Sequence, residues 1–256
     1  MKQSCLTDEL YWDKQYENSG YGNVHRINPT SNLSVKELDV LFRTYLDVNK
    51  KKDFLEVGCA PGIWMDYFHR VFQYSVEGIE YTKNGYDITT INLKKFGIDG
   101  EVYHQDFFNH TITKKYDVVF SGGFVEHFSN AGEAIQKHIE LLNSNGIAII
   151  EIPNLNNWNG YFQRILNKEI YDKHNVDIMN LEYFQKIKDI LPVECLYIGY
   201  VGKINLSLFQ GRLFINLLLL FAQKFLTALY FLGFKKYMKD SEKWSPFIVA
   251  IYRKLP

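Results

Sequence analysis

The stretch Phe54-Leu55-Glu56-Val57-Gly58-Cys59-Ala60-Pro61-Gly62 decides how the rest of the chain is read. An apolar run ends in an acid and breaks into a small, glycine-rich turn. Ile63 to Arg70 then read as the opening of a helix. A buried strand, an acid, a tight turn and a helix N-terminus, in that order, suit a nucleotide-like ligand carrying a charged tail. Glycine lets the backbone approach such a ligand with no Cβ in the way. The free N–H groups at the helix start add donors and the positive end of a dipole.

Upstream of this turn, Tyr11-Trp12-Asp13-Lys14-Gln15-Tyr16 reads as a short helix before a loop containing Pro29. Ser34 and Glu37 form a capping box that predicts a helix through Leu46. Downstream, strands at Asp53–Val57, Val76–Glu80, Glu101–Gln105, Tyr116–Ser121 and Gly146–Pro153 alternate with helical patterns. The helices are expected over Gly62–Phe72, over Asn84–Phe96 with Gly97 closing it, and from the Asn130/Glu133 capping box to Asn143. This alternation predicts a mostly parallel sheet covered on both faces. After Pro153 the rhythm changes. Residues 154–179 read as a loop-and-helix excursion above the sheet, followed by a helix at Asn180–Leu191 and strands at Val193–Val201 and Phe247–Arg253.

The bulk numbers bound the function. With 29 basic and 29 acidic residues, no global charge argues for a nucleic-acid partner. Cys5, Cys59 and Cys195 lie far apart, with no CxxC and no histidine pairing. That argues against a disulfide framework or a zinc site and favours a reducing, cytoplasmic compartment. Met1 to Lys14 is polar and charged throughout, which argues against a secretory signal.

The turn alone serves several nucleotide cofactors. A dinucleotide fingerprint, G-x-G-x-x-G, would from Gly58 need a third glycine at position 63, where this chain has Ile63. The spacing present is acid-x-Gly-x-small-x-Gly, at Glu56, Gly58, Ala60 and Gly62. It resembles motif I of the class I S-adenosylmethionine-dependent methyltransferases, with Ala60 where the family usually has glycine. Glu80 ends the second strand, Asp106 follows the third, and the fourth ends in Ser121-Gly122-Gly123-Phe124-Val125-Glu126-His127-Phe128. That last segment is similar to the "LEH" segment of many small-molecule methyltransferases.

The resemblance covers roughly residues 50–155. It implies a Rossmann-like α/β fold, a doubly wound seven-stranded sheet of order 3-2-1-4-5-7-6, with the last strand antiparallel. It also implies S-adenosylmethionine contacts at Glu56, Gly58, Cys59, Ala60, Gly62, Glu80, Tyr81, Asp106, Phe107, Ser121 and Gly122. In such a family Glu80 accepts from the ribose hydroxyls and Asp106 from the adenine amino group.

Methyl transfer from a sulfonium is an in-line displacement, so the protein chiefly positions the reactants and excludes water. An oxygen acceptor also has a proton to lose. His127 is the first candidate base, at a strand's C-terminal edge, with capping or pocket hydrogen bonding as its structural alternative. His174 is the second, in the excursion, with Asp172 to orient it. Tyr11 and Trp12 suggest an N-terminal lid over the cofactor, with ordinary packing of neighbouring aromatics as the structural alternative. No metal site is visible, because the acids are not clustered at ligand spacing.

Residues 202–246 depart from the family, whose last two strands form a close pair. On a helix of about 100° per residue, Arg212, Asn216, Gln223 and Thr227 share one narrow face with Lys224 at its margin, and everything else between Arg212 and Leu232 is aliphatic or aromatic. Lys235, Lys236 and Lys239 follow. This amphipathy favours a helix lying on a surface over one crossing a bilayer. Three readings stay open: a lid over the acceptor, a membrane contact through residues 208–236, or an oligomer interface.

The expectation is one methyltransferase domain. Its parts are an N-terminal helical segment (1–47), a cofactor core (48–153), an acceptor-side excursion (154–192) and the apolar insert (202–246). The acceptor is expected to be small or lipid-linked, such as a polyprenyl-attached glycan or a quinone-like ring, and methylated at oxygen. Peripheral membrane attachment is compatible with this. The alternatives are a non-catalytic binding module on the same fold and an NAD-dependent enzyme.

Overall fold

The computed structural model describes residues 5–18, 25–30, 32–209 and 213–256. Its sheet contains β1 (Asp53–Val57), β2 (Ser75–Glu80), β3 (Glu101–His104), β4 (Tyr116–Gly122), β5 (Leu142–Pro153), β6 (Val193–Val201) and β7 (Phe247–Lys254). The order is β3-β2-β1-β4-β5-β7-β6, as the resemblance implies. Strands β1 to β5 pair in parallel, and β7 runs antiparallel between β5 and β6. The central strands are apolar on both faces because each face carries helices: β1, β4 and β5 are almost wholly buried. The strand order reverses between β1 and β4, which opens the crevice where such sheets bind ligands.

The helix after the fold-deciding turn is α3 (Ile63–Phe72), preceded by α1 (Glu9–Asn18) and α2 (Leu33–Tyr45). Met65, Phe68 and Phe72 recur at helical spacing and are fully buried. Phe68 stacks on Phe54 of β1 at 4.2 Å and meets Phe120 of β4 at 5.4 Å. This aromatic cluster seats the helix on the sheet and so holds the turn above it. Truncating a ring buried this completely costs about 3–5 kcal/mol. Helix α4 (Lys83–Phe96) follows β2 and ends at Gly97 in the left-handed region, as expected.

Two boundaries differ from the sequence reading. Asn32, not Ser34, caps α2, its side chain accepting from the Val35 N–H. Ser34 and Glu37 lie inside the helix and face the insert: Ser34 Oγ donates to the Gly202 carbonyl, and Glu37 pairs with Lys203 at 3.3 Å. A capping box and an inward polar pair have the same spacing, and the tertiary contact selects between them. Helix α5 (Ala131–Glu140) stops before Asn143, because the chain joins β5 from Leu142.

The excursion consists of α6 (Asn157–Leu166), α7 (Lys168–Asp172) and a single 3-10 turn at Val176–Ile178, followed by α8 (Leu181–Ile190). The insert holds one long helix, α9 (Leu213–Phe231). Arg212, assigned to its polar face from the sequence, lies outside the described residues. Two of these helices have their polarity turned inside out. On α6, Asn159 and Gln163 are buried while Trp158, Tyr161, Phe162 and Ile165 are exposed. On α9, Gln223 accepts from the Leu206 N–H at 2.8 Å, and the buried Tyr230 donates its hydroxyl to Glu37 at 2.6 Å. Phe214, Leu217, Leu218, Phe221 and Phe225 face outward, and only 6% of the window Phe214–Phe231 is buried.

Candidate functional site

The turn after β1 is built as a cradle. Gly58 and Gly62 have φ of +70° and +87°, a region side-chain-bearing residues rarely occupy. A Cβ on Gly58 would stand 2.9 Å from the Phe124 ring. The Ala60–Pro61 peptide is cis. Gly58 and Cys59 both donate backbone N–H groups to the Ile79 carbonyl of β2, at 2.9 and 3.2 Å, and Cys59 itself is fully buried.

Two buried acids flank this cradle. Glu56 accepts from the Met65 N–H in the first turn of α3, while its Oε2 has no hydrogen-bond partner. Glu80 accepts from the Thr82 N–H and Oγ at 2.9 Å and from the Ala60 N–H, which ties the end of β2 to the turn. Burial raises both carboxyls above the usual carboxylate range, that of Glu56 strongly. An orphaned carboxylate oxygen in a glycine cradle fits a ligand that brings a cationic amine. The ammonium of S-adenosylmethionine is such a group.

A second concavity lies over the C-terminal ends of β4 and β5. Its walls include Tyr11, Trp12, Gly122, Gly123, Glu126, His127, Glu151, Gln163, His174 and Leu208. The segment Gly122–Phe124 is the wall shared with the cradle, since Phe124 packs on Gly58. Trp12 meets His127 edge-on at 4.9 Å, so the N-terminal helix closes one side of this second pocket rather than the cofactor cradle, over which the sequence reading places a lid. Glu126 and Glu151 are buried here, and desolvation pushes both carboxyls up, that of Glu151 to about 8. Four desolvated acids at one sheet edge mark this edge as the functional one.

The histidines behave differently from free bases. His127 donates Nδ1 to the Lys173 carbonyl at 2.9 Å, and burial lowers its pKa to about 3. His174 lies beside it, ring centroids 4.7 Å apart, and donates Nδ1 to the Ile170 carbonyl at 2.7 Å. Asp172 does not orient His174; it pairs with Lys168 instead. Burial also lowers His174. Folding therefore joins the two candidate bases into one cluster and makes both poor proton acceptors.

The absence of metal-ligand spacing in the sequence does not survive folding either. Glu126, His127 and His174 bring ligand atoms within 4.8 Å of one another. No linear spacing could reveal it, because His174 arrives on a separate excursion.

Of the other expected contacts, Ser121 is buried with its Oγ unpartnered, Gly122 lines the pocket, and Tyr81 is half exposed next to Glu80. Asp106 spends its carboxylate locally, accepting from the Phe108 N–H and the Asn109 amide. Phe107 is buried against His138 and Phe124, so its ring belongs to the core and not to an open ligand face. Sequence reading missed Glu151 and Gln163. Glu151 was detectable as the one acid in the apolar run Ile147–Ile152.

Comparisons with known proteins agree with this fold. A curated ubiquinone biosynthesis O-methyltransferase of Pelagibacter ubique (strain HTCC1062) is 28% identical over 151 residues, 57% of this chain. The match spans 60% of that relative's length. Among solved structures, the plantazolicin methyltransferase BpumL bound to S-adenosylhomocysteine superposes with a TM-score of 0.58 at 16% identity, over 95% of this chain and 90% of its own. The [4+2]-cyclase SpnF superposes with a TM-score of 0.64 at 12% identity, over 99% and 98%. At these identities the likeness concerns the fold. A family model described as a methyltransferase domain matches residues 35–188, more than half of the chain. The chain therefore belongs to the methyltransferase domain family, with S-adenosylmethionine as its cofactor.

Proposed function

We propose that this protein transfers the methyl group of S-adenosylmethionine to an oxygen of a hydrophobic, lipid-anchored acceptor at a membrane surface. The observation that carries the reading is the inverted polarity of α6 and α9. Helix α6 turns Asn159 and Gln163 toward the protein and α9 turns Gln223, while both expose aromatic or aliphatic side chains. Asn216 and Lys224 of α9 stay exposed. In water such faces lose the hydrophobic stabilisation that burial would give, roughly 25 cal/mol per Å² of apolar surface. Against a bilayer the arrangement becomes favourable, with Trp158 and Tyr161 of the kind that sits at a lipid–water boundary.

The apolar face continues to the pocket. Phe162 of α6 meets Phe209 at 5.9 Å, Leu208 lines the pocket, and the turn at Leu206–Leu208 packs on α9. An acceptor with an apolar tail would pass from the lipid to Glu126, His127 and Glu151 along this surface. Helix α9 has the length to cross a bilayer, yet its two flanks are joined by the Lys203–Asp240 ion pair at 2.6 Å. That pair supports an in-plane helix.

The bound cofactor supplies an activated methyl group. This chain's residues hold the acceptor oxygen across the Gly122–Phe124 wall and exclude water with the Tyr11–Trp12 helix. The oxygen assignment draws support from the relative's O-methyltransferase name.

The test has two arms. Labelled S-adenosylmethionine is offered quinone, glycolipid and water-soluble small-molecule acceptors, with label expected in an apolar acceptor. Liposomes of phosphatidylcholine and phosphatidylglycerol should co-sediment the wild type and release a Phe221→Glu/Phe225→Glu variant. Negligible sedimentation of the wild type would sink the membrane reading. Cofactor binding without turnover on any acceptor would favour the non-catalytic module.

A further inference from the structure

The cluster of Glu126, His127 and His174 is held in place by the backbone of two segments distant in sequence. The Asn175 N–H donates to the Glu126 carbonyl at 2.7 Å, and the Asn175 amide donates to the Phe128 carbonyl at 3.0 Å. With the His127–Lys173 bond, these contacts zip residues 173–175 onto 126–128. The three side chains then present their ligand atoms within 4.8 Å of one another, and all three line the pocket.

Both imidazoles are set in the same tautomer. Each Nδ1 faces a backbone carbonyl, Lys173 for His127 and Ile170 for His174. A carbonyl only accepts, so each Nδ1 carries the proton and each Nε2 keeps its lone pair. A carbonyl behind the ring is also the usual outer-shell partner of a metal-ligating histidine.

Glu126 faces these lone pairs. It is 1% exposed, and its Oε2 has no hydrogen-bond partner. Its Oε1 lies 3.7 Å from His127 Nε2, beyond hydrogen-bond reach, so no hydrogen bond joins the carboxyl to that lone pair. A buried carboxylate among acceptors is costly unless a cation joins it.

We propose that Glu126, His127 and His174 bind one divalent transition-metal cation, through a carboxylate oxygen and two Nε2 atoms, with open coordination positions toward the pocket. Two imidazoles and one carboxylate suit zinc, manganese or ferrous iron, whereas magnesium and calcium favour oxygen ligands alone. Three protein ligands are the number that leaves room for a substrate atom.

What the cation does there rests on the methyltransferase reading. It would bind the acceptor hydroxyl: the O–H bond breaks, the proton passes to the hydroxide that the acceptor displaces from the metal and that leaves as water, and the oxygen stays on the metal as the nucleophile. A side-chain base is then unnecessary.

The full-length protein, stripped with EDTA and titrated with cobalt(II), tests the site without turnover. We expect saturation at one equivalent with visible d–d absorption, displaced by zinc. In Glu126→Gln and His174→Ala the affinity should fall about tenfold or more. Circular dichroism and the S-adenosylhomocysteine thermal shift report whether each variant folds. Should Glu126→Gln unfold, His174→Ala decides alone, its position lying on the excursion. No saturable cobalt binding by the wild type, or wild-type affinity in a folded His174→Ala, overturns the proposal. Cofactor binding without cobalt binding rejects the metal and leaves the methyltransferase reading standing. Cobalt binding without cofactor binding does the reverse.

Discussion

Glu151 shows how a single side chain carries information about the pocket. It ends the apolar centre of β5 opposite Gly122, where a Cβ would stand 2.9 Å from its carboxylate. Burial lifts its pKa from 4.5 to about 8. The folded state therefore holds this proton more tightly than the unfolded chain. Stability falls as pH rises from about 4.5 toward 8 and levels off above that. Glu151→Gln removes the titration and keeps the shape. In EDTA, its melting temperature should exceed that of the wild type at pH 8.5, by the equivalent of roughly 1–4 kcal/mol, and the gap should close near pH 5. A gap independent of pH would mean that Glu151 is ionised in the folded protein.

At the scale of elements, α9 is the part whose environment is not its own fold. Its attachment depends on few polar contacts, chiefly Gln223 to the Leu206 N–H and the Ile204 carbonyl, and Tyr230 to Glu37. Gln223→Leu leaves a backbone donor and an acceptor without their partner, a loss of about 1–3 kcal/mol confined to the insert. Hydrogen exchange across residues 204–240 should quicken, while β1, β4 and β5 keep their protection. Uniform quickening across the sheet would show that the insert is part of the global folding unit. The excursion behaves in the opposite way, because Asn175 and Lys173 stitch it to the end of β4.

For the whole molecule, the sheet order places the two halves of the site side by side. The cradle sits at the β1/β4 reversal, and the acceptor pocket lies over β4 and β5, with Gly122–Phe124 between them. Binding at the cradle should stabilise the entire domain by mass action. S-adenosylhomocysteine at about 100 times its Kd contributes about 2.7 kcal/mol. For a chain of this size that is a rise of roughly 5–10 °C in melting temperature. NAD at the same concentration should leave the transition unmoved, as Ile63 in place of a third glycine implies. A shift with NAD alone would contradict the cofactor assignment.

The cofactor side was legible in one dimension because it is local. Glu56, Gly58 and Gly62 lie within a single turn, and Glu80 ends the next strand, so spacing along the chain already records their geometry. The strand order came from the family resemblance and not from periodicity. Phe107 is buried against His138 and Phe124, a placement the sequence does not reveal because core and ligand-facing aromatics look alike in it. Ser34 reads as a cap because a cap and an inward polar pair share one spacing. The acceptor side is non-local. His174 reaches Glu126 and His127 only when the excursion folds back over the sheet, which turns two separate candidate bases into a ligand cluster. The amphipathy of the insert could be read from its residues; that Gln223 turns inward while Asn216 stays exposed could not. The sequence by itself determined the alternation of strands and helices and the turn that takes the methyl donor, since both rest on contacts between near neighbours. Which groups meet at the acceptor, and which way the apolar helices face, was decided by tertiary contacts between segments far apart in the chain.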